Sequence, residues 1–256
     1  MNEKEIIEKI KQRKQYSGIL DSSVKRVLDS VKGDDEDKIK KTRSNLRKVF
    51  SAFLTNKVLK GKIKDSKIIL KSHVSTRERA DFYLEIYKRI LKGLDKKISV
   101  IDLGAGVNGF SYDYFNKLNY DVDYIGIEAI KQLVDLTNSY FNENKINGKM
   151  IYEDLFNLDK IIKIIENTEK PRVVFMFKII DALEFLKRDY SKELILKISE
   201  KAERIVISFA TASLGNKQRF KAQRYWLINF INENFHVLDD FCISNERFIV
   251  FEKKKQ

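Results

Sequence analysis

The sequence predicts an α/β fold in which a mostly parallel sheet ends in an antiparallel hairpin and is preceded by a helical N-terminal part. From Ile98 onward, strand-like runs alternate with helical stretches, which is typical of a parallel sheet covered by helices. The last two strand-like runs, residues 236–244 and 246–253, follow each other without a helix, so we expect them to pair antiparallel. Before residue 96, apolar residues recur at helical spacing.

The helical part is predicted as a separate domain over residues 1–95. One amphipathic helix is expected over residues 21–31, and a second, with basic residues on its outer face, over residues 39–53. The run STRE at residues 75–78 has the pattern of a capping box, which predicts a third helix extending to residue 91.

The alternating part is predicted as a second domain over residues 96–256. Its strand candidates before the hairpin are residues 97–103, 124–128, 149–154, 172–177 and 204–209. Helical stretches of about 10–20 residues lie between them, long enough for the crossovers that parallel strands need.

The excess positive charge lies in the first part of the chain. The net charge is +13, and residues 1–97 hold 27 Lys and Arg against 14 Asp and Glu, whereas residues 98–256 hold 23 of each. A basic part beside a neutral domain indicates a polyanionic partner such as RNA, and Arg43, Arg47 and Lys48 on the second helix are the expected contacts. A lysine-rich solvated surface is the alternative interpretation.

Composition argues against metal chemistry and membrane insertion. Cys242, His73 and His236 are the only Cys and His residues in the sequence, too few and too scattered for a zinc site. No apolar run approaches the roughly 18 residues of a membrane span, and residues 1–15 lack the apolar core of a secretory signal. We therefore expect a cytoplasmic protein with no metal and no membrane partner.

The turn after the first predicted strand is the main candidate for a cofactor site. Residues 104–109, GAGVNG, fit the pattern G-x-G-x-x-G between a strand and a helical stretch. Dinucleotide sites use this pattern to place backbone N–H groups against a pyrophosphate, and S-adenosylmethionine (SAM) sites use a similar turn with no phosphate to bind. The glycines alone do not separate the two cofactors.

Three carboxylates at the ends of successive strands favour SAM. Asp102 suits a cationic amino group and sulfonium better than a pyrophosphate, Glu128 can accept hydrogen bonds from two ribose hydroxyls, and Asp154 follows the third strand, where an adenine amino group is expected. A dinucleotide site and a vestigial site stay open. A parallel sheet with this motif and a final hairpin is similar to the Rossmann-like fold of class I SAM-dependent methyltransferases.

The acceptor atom is narrowed by what the sequence lacks. Enzymes that methylate amino groups carry an Asn/Asp-Pro-Pro-aromatic motif after strand four, where this chain reads FMFKIIDAL, and cytosine C5 methylation needs a cysteine nucleophile, whereas Cys242 lies in the final hairpin. Guanine N7 carries an unprotonated lone pair and needs only alignment and exclusion of water. Ribose 2′-O methylation stays open, because Lys178 and Asp181 imitate part of the arrangement it requires.

Five segments carry a resemblance to a known family. They are IIEKIKQRKQYSGILDSSVKRVL from residue 6, HVSTRERADFY from 73, VIDLGAGVNGF from 100, FMFKIIDAL from 175 and VISFATASLGNKQRF from 206. Together they resemble the aminoglycoside-resistance 16S rRNA methyltransferases of the guanine-N7 type. The resemblance implies methyl transfer from SAM to N7 of a guanine in the decoding region of the small ribosomal subunit. We expect the enzyme to be a monomer.

The resemblance also implies roles for individual residues. The residues expected in the cofactor pocket are His73, Thr76, Arg79, Asp102, Gly104, Ala105, Gly106, Glu128, Ala129, Asp154 and Leu155. Arg79 is expected to clamp the methionine carboxylate with two hydrogen bonds. Lys178 and Ser208 are expected to position the reacting groups without acting as a general base. The residues expected to hold the target nucleotide are Ser213, Gly215 and Lys217.

The chain departs from the family pattern at several positions, mostly around the substrate. Ala105 replaces a cysteine, Gly109 and Ala210 replace prolines, and residues 216–218 replace a stretch rich in glycine and basic residues. These departures leave two alternatives open. One is an RNA methyltransferase for another rRNA site, for tRNA or for ribose 2′-O, and the other is a non-catalytic RNA-binding or assembly factor.

Overall fold

The computed structural model describes residues 1–50, 65–211 and 224–254, and within these residues seven strands form one sheet. The strands are β1 (Lys97–Leu103), β2 (Asp121–Glu128), β3 (Gly148–Tyr152), β4 (Arg172–Phe177), β5 (Arg204–Ala210), β6 (Phe235–Ile243) and β7 (Glu246–Lys253). Their order across the sheet is β3-β2-β1-β4-β5-β7-β6.

The sheet is parallel from β3 to β5 and antiparallel at its other edge. Strands β1, β2, β3, β4 and β5 pair in parallel, whereas β7 runs antiparallel to both β5 and β6. After Lys97 every residue of β1 is buried, as expected for a central strand covered on both faces. The predicted α/β class, with a final antiparallel hairpin, is therefore confirmed.

The helices lie before the sheet and between its strands. Those before the sheet are α1 (Glu3–Lys11), α2 (Asp21–Asp29), α3 (Asp35–Val49), α4 (Ser66–Ser72), α5 (Val74–Arg77) and α6 (Tyr83–Ile90). Those between the strands are α7 (Asp113–Lys117), α8 (Lys131–Glu143), α9 (Leu158–Glu166), α10 (Ile180–Leu186), α11 (Tyr190–Ser199) and α12 (Tyr225–Asn234). A 3₁₀ turn at Asn108–Ser111 follows the glycine turn.

The capping box predicted at residues 75–78 does not form, and the single helix predicted over residues 75–91 is wrong. Instead, α5 ends at Arg77 and α6 begins at Tyr83. The Ser75 hydroxyl bonds to Nδ1 of His73 at 2.8 Å, and the Glu78 carboxylate pairs with Lys178. Both side chains that would close the box are thus used by other partners, and the chain turns after one helical turn.

The N-terminal helices and the sheet share a continuous buried cluster. Ile10, Val24 and Leu46 belong to the same apolar cluster as Val100 and Phe175 of the central strands. The backbone also joins the two parts, because Leu20 N–H donates to the Ala129 carbonyl and Lys131 N–H donates to the Gly18 carbonyl. The domain boundary at residues 95 and 96 therefore stays a prediction from sequence.

The described residues contain neither a membrane-spanning helix nor a cluster of metal ligands. None of the helices in residues 1–50, 65–211 and 224–254 combines the length and the apolar composition that a membrane span needs. The same part of the chain holds no group of three or more His, Cys, Asp or Glu side chains arranged to hold a metal ion.

Candidate functional site

A pocket opens at the carboxyl ends of the parallel strands, where open α/β sheets bind their ligands. The strand ends and the loops after them bring together most of the predicted cofactor residues. Those in the wall of the pocket are His73, Gly104, Gly106, Glu128, Ala129, Asp154 and Leu155, with Lys178 beside them. The other four predicted cofactor residues, Thr76, Arg79, Asp102 and Ala105, do not line this pocket.

The glycine turn after β1 has its backbone N–H groups directed inward. Gly104 and Gly106 have φ of 69° and 54°, and a Cβ at Gly104 would lie 2.6 Å from Cγ2 of Ile179, so both positions favour glycine. The N–H groups of Gly104 and Ala105 donate to the Ile127 carbonyl, and that of Gly106 donates to Oε2 of Glu128 at 2.9 Å. Because these donors already have acceptors within the protein, the turn disfavours a pyrophosphate and hence a dinucleotide.

Glu128 is a buried carboxylate in the wall of the pocket. It accepts hydrogen bonds from the N–H groups of Gly106 and Ile130, at 2.9 and 3.0 Å. Burial raises the pKa of Glu128 to about 7, although the backbone hydrogen bonds oppose that shift. The side chain is therefore positioned by its neighbours while it titrates close to neutral pH.

Asp154 joins the third strand to the N-terminal helices. Its Oδ1 accepts the N–H of Phe156 at 3.0 Å, and its Oδ2 accepts the hydroxyls of Ser22 and Ser23, at 2.9 and 3.1 Å. Both serines lie in the first turn of α2, more than 130 residues away in the chain. The predicted adenine-binding carboxylate thus forms part of the contact between the helical part and the sheet.

Asp102 lies behind the glycine turn and outside the pocket wall. It accepts hydrogen bonds from Nδ2 of Asn108 at 2.7 Å and from the hydroxyl of Tyr124 at 2.5 Å. It is 1% exposed, and burial raises its pKa to about 6. The structure thus gives Asp102 a supporting position under the turn, and the predicted direct contact with the cofactor stays a prediction.

Arg79 is occupied by a carboxylate of the last strand. Its Nη1 donates to Oε1 of Glu246 at 2.8 Å, and its Nη2 donates to Oδ1 of Asn108 at 3.4 Å. Arg79 and Glu246 are 3% and 0% exposed. The predicted clamp on a methionine carboxylate would need this guanidinium to change partners, and it stays a prediction. Thr76 is also used locally, since its hydroxyl donates to the Leu70 carbonyl at 2.7 Å.

Lys178 and Ser208 meet at Glu246. The Lys178 ammonium lies between the carboxylates of Glu78 and Glu246, 3.2 Å from Oε2 of Glu246. The Ser208 hydroxyl donates to Oε1 of Glu246, and the Ser208 carbonyl accepts the N–H of Lys178 at 3.0 Å. Lys178 has a φ of 56°, a left-handed backbone conformation that is uncommon for lysine and often marks functional sites.

His73 is a neutral side chain beside the glycine turn. Burial lowers the pKa of His73 to about 3, and the charges of Arg79 and Lys178 act in the same direction. Its ring lies close to Gly106, where an added Cβ would be 3.6 Å from Cε1 of the histidine. It forms part of the pocket wall.

The residues predicted to contact RNA have different positions. Arg43 donates to the carbonyls of Lys9 and Ile10 at the end of α1, whereas Arg47 and Lys48 are exposed on α3. The guanidinium of Arg43 therefore has a structural use that the sequence did not reveal. The predicted nucleotide-holding residues Ser213, Gly215 and Lys217 lie outside the described residues.

Sequence reasoning missed two groups of residues at this site. Ser23, Arg26, Val49 and Phe50 of the N-terminal helices form one side of the pocket, and Glu246 pairs with Lys178 and Arg79 below it. No local motif marks any of them, because their partners lie far away in the chain. The one signal for Glu246 in the sequence is that a charged residue begins a largely buried strand.

Comparisons with known proteins identify the family. The sequence matches the family "Ribosomal RNA methyltransferase (FmrO)" over residues 59–250. A 16S rRNA (guanine(1405)-N(7))-methyltransferase of Micromonospora echinospora is 23% identical over 238 residues, which cover 84% of this chain and 83% of that protein. A methyltransferase of the same name from Proteus mirabilis is 22% identical over 72% of this chain and 64% of its own length.

Solved structures show the same fold. The crystal structure of the 16S rRNA methyltransferase RmtF in complex with S-adenosyl-L-homocysteine covers 99% of this chain with a TM-score of 0.80 and 22% identity. An rRNA methylase from Escherichia coli also covers 99% of the chain, with a TM-score of 0.77 and 20% identity. The family that the five segments indicated is thus confirmed: the chain belongs to the FmrO family of ribosomal RNA methyltransferases.

Proposed function

We propose that this chain transfers a methyl group from SAM to N7 of a guanine in the decoding region of 16S rRNA. The observation that carries the proposal is the pocket at the carboxyl ends of the parallel strands. It presents the carboxylates of Glu128 and Asp154, and its glycine-turn N–H groups are engaged inside the protein. The name of the relatives, 16S rRNA (guanine(1405)-N(7))-methyltransferase, supports the choice of substrate and atom.

The residues of the pocket fit SAM. Glu128 and Asp154 supply carboxylate oxygens where ribose hydroxyls and an adenine amino group need acceptors, and Gly104 and Gly106 leave room beside them. Bound SAM would supply an electrophilic methyl group on a cationic sulfonium. The buried carboxylates favour a cationic ligand over a pyrophosphate.

The groups near Lys178 support N7 as the acceptor. The Lys178 ammonium offers hydrogen-bond donors and no acceptor, so it can orient an oxygen or a ring nitrogen but does not remove a proton as it stands. Asp181, the possible partner for 2′-O methylation, pairs instead with Arg224 at 2.8 Å. Guanine N7 has no proton to lose, so these residues need only position the base and exclude water.

Positive charge on the N-terminal helices supports RNA as the substrate. Arg47 and Lys48 are exposed on α3, and the chain carries its whole net charge of +13 in residues 1–97. Lysine and arginine contacts to phosphates contribute affinity without reading sequence. We therefore assign this surface to the backbone of the rRNA.

The test is methylation of purified substrates followed by mapping of the product. The protein would be incubated with tritiated SAM and with intact small ribosomal subunits, naked rRNA or tRNA, and the RNA cleaved by borohydride and aniline, which cut at 7-methylguanosine. We expect label in the small subunit and a cut in the decoding region. Glu128→Ala should abolish the labelling, whereas Glu200→Ala, an exposed control, should retain it.

Other outcomes would correct specific parts of the proposal. Label without a cut would show that the protein is a methyltransferase whose acceptor is an atom other than N7. Label on tRNA alone would replace the substrate. Binding of S-adenosyl-L-homocysteine (SAH) without label on any RNA would contradict the substrate class, and absence of both would favour a non-catalytic RNA-binding factor.

Methylation at N7 has a consequence for antibiotics that bind the decoding region. It places a positive charge on the base, which repels a polycationic aminoglycoside. We expect expression of the chain in a sensitive bacterium to raise the inhibitory concentration of aminoglycosides that contact this guanine. An unchanged inhibitory concentration with the guanine methylated would point to a housekeeping role.

A further inference from the structure

Arg26 on α2 brings an unused hydrogen-bond donor to the cofactor pocket. It lines the pocket beside Ser23, and its side chain is one third exposed. Its Nε atom is buried and has no hydrogen-bond partner among the described residues. A buried N–H without an acceptor costs free energy, so it is expected to find an acceptor in some state of the protein.

The position of Arg26 is fixed by its neighbours. Its guanidinium carbon lies 3.9 Å from the ring centroid of Phe156, and that ring in turn stacks on Tyr190 with centroids 4.1 Å apart. Cation–π contact of this kind favours a position of the guanidinium over the face of the ring. Nη2 lies 3.9 Å from Oδ2 of Asp154, which is long for a hydrogen bond.

The nearest carboxylate is already used by other donors. Oδ2 of Asp154, the oxygen that faces Arg26, already accepts two serine hydroxyls from α2. Oδ1 accepts the N–H of Phe156 and keeps a lone pair for a further donor such as an adenine amino group. Since Oδ2 of Asp154 is filled, we expect the acceptor for Nε of Arg26 to come from the pocket that this residue lines. On the proposed function, this is the end of the pocket that takes adenine, whose ring nitrogens are acceptors.

We propose that Arg26 is a cofactor-binding residue that donates a hydrogen bond to a ring nitrogen of adenine and closes this end of the pocket. The proposal rests on the proposed use of SAM, and it makes α2 part of the cofactor site. The same helix belongs to the basic N-terminal part of the chain.

The test is calorimetric titration of the full chain with SAH and with 5′-methylthioadenosine, which contains the nucleoside but lacks the amino-acid moiety. Arg26→Met retains most of the length of the side chain and removes the donors. We expect this variant to bind both ligands at least tenfold more weakly and by similar factors, as the loss of a hydrogen bond from a charged donor predicts. Arg26→Lys, which keeps a cation near Phe156 but lacks Nε, should weaken both ligands as well.

A matched control and a series of ligands separate the explanations. Arg188→Met removes an arginine that is 94% exposed and should leave both affinities unchanged. Among the 1-deaza, 3-deaza and 7-deaza analogues of methylthioadenosine, one should bind the wild type weakly. Its affinity should fall no further in Arg26→Met. That analogue would identify the acceptor nitrogen.

Two results would overturn the assignment of Arg26. One is unchanged SAH affinity in folded Arg26→Met and Arg26→Lys. The other is loss of SAH affinity with unchanged methylthioadenosine affinity, which would place the contact at the methionine end. If the wild type bound neither ligand, the proposed use of SAM would fail instead, so the two failures are distinguishable.

Discussion

At the scale of single residues, Glu128 shows how burial and hydrogen bonding set the chemistry of the pocket. Burial raises its pKa to about 7 from an ordinary value of 4.5. A carboxyl whose pKa is raised in the folded state contributes stability that is fully present below pH 4.5 and is lost as pH rises through 7. A ligand that donates hydrogen bonds to the carboxylate would lower its pKa again.

Binding of SAM or SAH should therefore release a proton near neutral pH. We expect SAH to bind more tightly at about pH 8 than at about pH 6, and calorimetry in buffers of different ionisation enthalpy to show proton release. Glu128→Gln should weaken binding and reduce this pH dependence. The remaining dependence would belong to Asp102, whose pKa is raised to about 6.

Two variants complete the test of Glu128. Glu200→Gln, at an exposed position, should bind SAH with the pH dependence of the wild type. Asp102→Asn removes the second buried carboxyl and so shows how much of the pH dependence of SAH binding belongs to Asp102. If the wild type bound SAH equally tightly at the two pH values, the prediction that Glu128 titrates near neutral pH and contacts the ligand would be wrong.

At the scale of secondary-structure elements, the segment between α5 and α6 is joined to β7 by a buried ion pair. Arg79 and Glu246 are both buried and lie 2.8 Å apart, and Glu246 also pairs with Lys178 after β4. The paired register places Glu246 opposite Ala210 at the end of β5. One carboxylate thus connects the end of β4, the start of β7 and the preceding helical part.

Removing one member of this pair should destabilise the fold. We expect Arg79→Met to lower the free energy of unfolding by about 3–5 kcal/mol, because it leaves a buried carboxylate with less compensation. The double variant Arg79→Met/Glu246→Gln should be destabilised by less than the sum of the single variants. Urea denaturation followed by circular dichroism measures both values.

A second arginine provides the matched comparison. Arg89 of α6 pairs with Asp239 of β6 at 2.7 Å, but the two side chains are 39% and 30% exposed. Partly exposed pairs contribute little, so Arg89→Met should cost about 1 kcal/mol. Equal destabilisation by Arg79→Met and Arg89→Met would show that burial does not set the strength of the first pair.

The elements also show where local patterns predict structure and where they do not. The predicted strand at 97–103 has the bounds of β1, and 172–177 those of β4, because alternation of apolar strands and helices is a local property. The predicted helix from Ser75 is wrong, because the capping residues found partners in Lys178 and His73. These contacts outweigh the helix-capping interaction, which contributes about 1 kcal/mol.

At the scale of the whole molecule, charge and apolar packing divide the chain differently. All the excess positive charge lies in residues 1–97, yet the buried apolar cluster runs from the N-terminal helices through the central strands. Ser23 and Arg26 of α2 line the pocket, and the hydroxyls of Ser22 and Ser23 donate to Asp154 in its wall. The helical part that we propose to face the rRNA thus packs against the sheet and lines the pocket, and the boundary between two domains stays a prediction from sequence.

Reversal of exposed charge on α3 should weaken RNA binding and spare cofactor binding. For Arg47→Glu/Lys48→Glu we expect lower affinity for the small subunit and a shallower dependence of that affinity on salt, by roughly one unit of slope for each phosphate that is no longer neutralised. SAH affinity should stay unchanged. The measurement is subunit binding over a series of salt concentrations.

Two exposed lysines from the part of the chain after residue 97 provide the control for charge. Lys149→Glu/Lys163→Glu, at two exposed positions, makes the same change in net charge and should retain most of the subunit affinity. If both double variants weakened binding equally, only net charge would matter, and the assignment of α3 would be wrong. Arg43 is left out because its guanidinium contacts the end of α1.

The sequence by itself determined the order of strands and helices, the glycine turn, the acids at the strand ends and the family. Each strand, the glycine turn and each of the five family segments depends on residues close together in the chain, and parallel strands bring their carboxyl ends, with the acids that follow, to one edge of the sheet. Tertiary structure decided which of those residues face the pocket: Glu128 and Asp154 do, whereas Asp102 lies behind the turn.

Only the folded chain could show that α2 reaches Asp154 and that Glu246 pairs with Arg79. These contacts join residues 132 and 167 positions apart, and no spacing in the sequence encodes them. The pKa values of Glu128 and His73 are decided in the same way, because burial and neighbouring charges displace them from their ordinary values. Local patterns determine elements, whereas packing determines partners.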